Sequence, residues 1–126
     1  TIILTGTPPG SFNVSSTTGQ DSTVNITAPD SGTYSGIAVY QDPKASSSST
    51  NSMSGASNVN INGALYFPSS KVSFSGNATA AGAQCTQVIA DEIQFSGDTT
   101  INSSCNSAGT KSIGSSGGTS KTALVE

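Results

Sequence analysis

At 126 residues the chain is one domain by size, with room for a modest core and none for two independent ones. Only 33% of residues are apolar and 9% charged, which disfavours both an ordinary globule and charge-rich disorder, and suits stacked ladders that need one inward side chain every second residue. The net charge of −3, from four Lys, no Arg and seven acids, lacks the basic stripe that nucleic-acid phosphates require.

The chain opens on TIILTG, an abrupt apolar start that reads as a segment of a longer protein. TIILTGT is too short and uncharged for a signal sequence, and no run approaches the roughly 18 apolar residues of a membrane span. Any anchor is expected outside this chain. Alternating inward candidates follow in pairs: Ile2 and Leu4, Phe12 and Val14, Val24 and Ile26, Ile37 and Val39. Gly, Asn, Asp, Pro and Ser separate these runs, which marks them as strands joined by turns. No window shows an i, i+3, i+4, i+7 apolar stripe, so helix is expected to be nearly absent.

Residues 44–57, KASSSSTNSMSGAS, read as a flexible Ser-rich loop protruding from one rung, either a plain insertion or a recognition loop. After it come Val59 and Ile61, Leu65 and Phe67, Val72 and Phe74, Val88 and Ala90, Ile93 and Phe95, and Ile101. Within this half, KVSFSGNAT from Lys71 echoes EIQFSGDTT from Glu92 at an offset of 21, matching Phe74 to Phe95 and Gly76 to Gly97. A repeat of that length is about one coil of a β-solenoid. Residues 107–121 form an irregular Gly/Ser-rich segment, and TALVE at 122–126 regains a strand pattern suited to closing an open end.

Cys85 and Cys105 stand 20 residues apart, close to the repeat offset. On neighbouring rungs about 4.8 Å apart, their Cα atoms would fall within bridging distance. A disulfide there would contribute about 3 kcal/mol on the loop-entropy account and would place the protein in an oxidising compartment. The competing readings are two buried thiols or a metal site, the latter short of ligands in a chain without His.

Lack of His also removes the commonest general base and every Ser-His-Asp or Cys-His arrangement. Asp91, Glu92 and Asp98 are the only local acidic cluster for a polysaccharide-active enzyme, and adjacent strand residues point to opposite faces. Asp30 in APDSG and Asp42 in YQDP read as turn residues, with calcium binding as the sharper alternative. Tyr34, Tyr40 and Tyr66 are candidates for an exposed ligand-contact strip, set against tyrosines that pack along the coil with wet hydroxyls. Asn62, Asn77, Asn102 and their neighbours are expected to form amide ladders. The Asn-x-Ser/Thr triplets at Asn13, Asn25, Asn77 and Asn102 would accept glycans only in a eukaryotic secretory pathway.

The succession APDSGTYSGIAVYQDP, INGALYFPSSKVSFSGNAT, CTQVIADEIQFSGDTTINSSC and terminal ALVE resembles the C-terminal region of bacterial Tad (tight adherence, Flp) pilus-assembly proteins of the TadG-like group. That group's patterns look like APxxGxYxGIxxYQD, GxLYFPxxxxxFxG and CxxxIAxxIxFxGxxxxxxxC, present here in order from about Ala28 to Cys105. The resemblance implies an extracytoplasmic, β-rich envelope protein tied to pilus assembly or adhesion, with a membrane anchor outside this chain. It transfers Cys85 and Cys105 as paired residues, supplies no catalytic residue, and brings no DxSxS metal-dependent adhesion motif.

The expectation is therefore an all-β single domain over 1–126: a short right-handed parallel β-helix with one disulfide, non-enzymatic, without cofactor or metal. Its expected partners are pilus or envelope proteins, other copies of itself through the solenoid ends, or a surface glycan. A carbohydrate-binding module is the alternative from another class.

Overall fold

The computed structural model describes residues 1–15, 23–55, 58–76, 85–98 and 101. Seven strands and no helix occur among them: β1 (Ile2–Leu4), β2 (Asn13–Ser15), β3 (Thr23–Thr27), β4 (Ile37–Gln41), β5 (Thr50–Gly55), β6 (Asn58–Gly76) and β7 (Thr86–Ser96). Every strand pairing is parallel. Parallel strands cannot be joined by tight hairpins, so the chain returns to a ladder only after passing through another.

Three ladders result. In the first, β3 pairs with the start of β6, Val24 beside Val59 and Ile26 beside Ile61. The second runs β1, β4, the middle of β6, then β7, aligning Ile2, Val39, Leu65 and Val88. In the third, β2, β5, the end of β6 and the end of β7 align Val14, Met53, Phe74 and Phe95. β6 enters all three ladders, so the sheet curls along that one strand. Such curled, all-parallel pairing is what a β-solenoid requires.

Alternation decides what the curl encloses. Val39, Leu65 and Phe67 are 0% exposed, as is Val72, with Met53 and Ile61 close behind. Small residues turn the corner between the first and second ladders. Gly63 adopts φ +137°, and a Cβ there would stand 2.5 Å from the Ala28 Cβ and 3.1 Å from the Gly36 carbonyl oxygen. Its N–H donates to the Cys85 carbonyl at 2.7 Å, and Ala64 N–H to that of Gly36 at 2.7 Å.

The corner between the second and third ladders is polar and buried. Gln41, Asn51 and Ser70 are all fully buried. Asn51 Nδ2 donates to Ser70 Oγ at 2.8 Å while its Oδ1 accepts the Phe12 N–H at 2.8 Å. Ser70 Oγ donates to Gln41 Oε1, and Gln41 Nε2 donates to the Gly10 carbonyl at 2.8 Å. Buried amides cost free energy unless paired; here each pairs with a different stretch of chain, which ties three successive passes together.

Four expectations need correction. The segment 44–57 is not one protruding loop: Thr50–Gly55 is strand β5, with Met53 1% exposed and Asn51 fully buried. Ahead of it the backbone is held in turns, Ala45 N–H to the Asp42 carbonyl and Ser49 N–H to that of Ser46. Next, Ile2, Ile93 and Phe95 occupy core columns yet are 39%, 41% and 55% exposed, because among the described residues they sit on the first and last strands of their ladders. Asn62 does not ladder either. Its Oδ1 is buried without a hydrogen bond among the described residues, whereas the neighbouring Asn60 does stack, its Nδ2 donating to Asn25 Oδ1 at 2.8 Å. Finally, Ala38 is buried beside Val39, because the register shifts between Ile37 and Val39. Asn77, Asn102, Cys105, the 107–121 segment and 122–126 lie outside the described residues.

Candidate functional site

Residues of the second ladder that do not face the core point outward, and there the chain places its large side chains in a column. Ile3 aligns with Tyr40, Tyr40 with Tyr66 and Tyr66 with Ile89. The Tyr40 and Tyr66 rings stack with centroids 5.4 Å apart and planes 8° from parallel. Tyr34, in the turn before β4, closes on Tyr40 at 5.5 Å with planes inclined 57°. All three tyrosines are half-buried. The grouping of these three is legible in the sequence, whereas Ile3 and Ile89 are not in the expected strip; the outward half of the same alternation signal places them there.

Ring orientation limits what this column can hold. A flat sugar face packs best on an open aromatic face. Tyr40 has Tyr66 against one face and Tyr34 inclined across its ring, so the column offers edges and hydroxyls more than platforms. Partial burial, then the nearby Asp42 carboxylate and the flanking Tyr34 and Tyr66, hold the Tyr40 phenol above its usual 10.0. The ring therefore stays a neutral donor well into alkaline solution.

Asp42 is a turn residue as expected: its Oδ1 accepts the Lys44 N–H at 2.9 Å and its carbonyl the Ala45 N–H at 3.0 Å. Asp30 lies exposed in the turn before β4. Asp91, Glu92 and Asp98 are exposed as well, and Glu92 Oε1 pairs with Lys71 Nζ at 2.9 Å, so the repeat offset brings an acid and a base together. Among the described residues no three Cys, Asp or Glu side chains gather as a metal site. Cys85 is 0% exposed; Cys105 lies outside the described residues.

No protein-family model, curated protein or solved structure matches this chain.

Proposed function

We propose that the chain is a structural or adhesive module of the bacterial envelope, outside the cytoplasm, associated with a Tad-type pilus and without catalytic activity. In this reading its coil is a right-handed parallel β-helix, the hand favoured by parallel crossover connections, with Cys85 bridged to Cys105. What supports it is the construction of the ladders: registered columns of apolar side chains, locked by the Gln41–Asn51–Ser70 corner, under a surface of Ser, Thr and Asn. Such a stack resists unfolding and presents a long regular flank. For the bridge, the support is the complete burial of Cys85 and the finding that no cysteine among the described residues is a free thiol.

The reading is tested by deleting this region from the encoding gene in its host, then scoring surface pili and attachment to solid supports; unchanged pili and attachment would sink it. Alkylation of unreduced protein followed by mass spectrometry tests the bridge, and labelling of both thiols would remove it along with the compartment argument.

A carbohydrate-binding module is the second reading, resting on the half-exposed Tyr34, Tyr40 and Tyr66, whose ring edges and hydroxyls rather than open faces would make the contact. Glycan-array binding lost in Tyr34→Ala and Tyr66→Ala would promote it above the first. A polysaccharide-active enzyme built on Asp91 or Asp98 is the least favoured.

A further inference from the structure

The sequence holds one Asn-Gly pair, Asn62–Gly63, and the fold sets it inside β6 at the corner between the first and second ladders. This pairing is the least durable setting an asparagine can have, because the glycine nitrogen, unhindered by a side chain, can attack the asparagine amide carbon. A bond forms from Gly63 N to Asn62 Cγ, the side-chain nitrogen leaves as ammonia with the proton that Gly63 gives up, and a succinimide ring results. Water then opens the ring at either carbonyl, giving aspartate or isoaspartate. No enzyme, oxidant or cofactor is needed.

The fold holds the pair away from this reaction. The Asn62 carbonyl accepts the Ala28 N–H at 2.7 Å, and the Gly63 N–H donates to the Cys85 carbonyl at 2.7 Å. One peptide unit is thus gripped by an earlier pass of the chain on one side and by a later pass on the other. Ring closure needs this unit to turn until its nitrogen faces the side chain, and in an extended strand the nitrogen points away. Turning it would break both hydrogen bonds and move Gly63, at φ +137°, out of a corner where even a methyl would stand 2.5 Å from the Ala28 Cβ.

The products do not fit the place that the asparagine leaves. Asn62 Oδ1 is buried and has no hydrogen bond among the described residues, so aspartate would bring a charge to an oxygen that no donor meets. Isoaspartate would add a methylene to the backbone and displace the β6 residues after the corner from their register with β4 and β7.

We propose that Asn62 is a latent deamidation site, protected while its peptide bond to Gly63 is clamped between Ala28 and Cys85 and modified once that corner opens. The step runs one way, because the modified chain no longer matches the corner that protected it. It depends on neither the pilus nor the glycan reading, and it gives the chain a chemical lifetime set by how often this part of the fold opens.

The experiment incubates the 126-residue chain in mildly alkaline buffer, native, in graded urea below the unfolding transition, and fully unfolded. Peptide mass spectrometry reads position 62, and NMR reads hydrogen exchange of the Gly63 amide on the same samples. The unfolded chain is expected to deamidate first at Asn62. The native chain is expected to do so at least about tenfold more slowly, at a rate that rises with urea in step with Gly63 exchange. Asn62→Asp, which installs the product directly, is expected to unfold at lower urea than the parent or to fail to fold. Equal rates in the native and unfolded chain would overturn the inference, as would native protection that does not follow Gly63 exchange. An Asn62→Asp chain as stable as the parent would overturn the one-way step.

Discussion

Phe95 lies over Phe74 with ring centroids 5.2 Å apart and planes 15° from parallel, yet Phe74 is 5% exposed and Phe95 55%. Two residues in the same local sequence thus carry different weight, because Phe74 has Met53 as its other neighbour in the column whereas Phe95 is the last residue of that column among the described residues. Phe74→Ala is expected to cost about 3 to 5 kcal/mol, and Phe95→Ala about 1 to 2 kcal/mol. Urea unfolding measures both; equal losses would contradict the column.

The buried amide corner gives a second expectation. Asn51→Ala strands the Phe12 N–H and removes a donor from Ser70, at a cost of about 2 to 3 kcal/mol. Gln41→Ala acts on the same network, so the double variant is expected to lose less than the sum by about 1 kcal/mol or more. Additive losses in a double-mutant cycle would mean that the side chains act separately.

Glycine positions differ as sharply. Gly63→Ala must fit a methyl 2.5 Å from the Ala28 Cβ at φ +137°, and about 3 kcal/mol of stability is expected to be lost. A methyl at Gly10 would meet nothing within 4 Å, so Gly10→Ala is expected to stay within about 0.5 kcal/mol of the parent. Thermal melts of the two variants side by side make the comparison.

Alkaline stability follows from Tyr40. Its folded pKa is raised above 10.0, first by burial and then by Asp42. Above the unfolded pKa the unfolded chain gives up the phenolic proton before the folded one does, so its contribution to stability is full below that pH and declines as pH rises through the folded pKa. Tyr40→Phe is expected to flatten the decline. Urea midpoints from pH 9 to about 11.5 measure it, and an unchanged slope would assign the alkaline loss to other groups.

Periodicity is legible where the repeated residues are large. The Phe74 and Phe95 echo, the Gly76 and Gly97 match and the three tyrosines all announce their column by size or by a turn. β5 does not, since TNSMSG offers one apolar residue, Met53, and its strand identity comes from the neighbouring β6 that it templates on. The buried corner is illegible for a related reason: Gln41, Asn51 and Ser70 look like surface residues until the curl of the sheet aims them at one another. Ile93 and Phe95 mark the opposite limit, because alternation says which way a side chain points and nothing about whether another strand covers it.

β6 also bears on how the chain comes together. It alone touches β3, β4, β5 and β7, and its pairings with β5 and β7 close over short loops, whereas β1 and β2 must be recruited across longer separations. Short closures form fastest, so assembly is expected to run outward from residues 58–76, with the amides there the last to exchange with solvent. A lesion in β6 would therefore strike the fold before it existed, while one in β1 would only delay its completion.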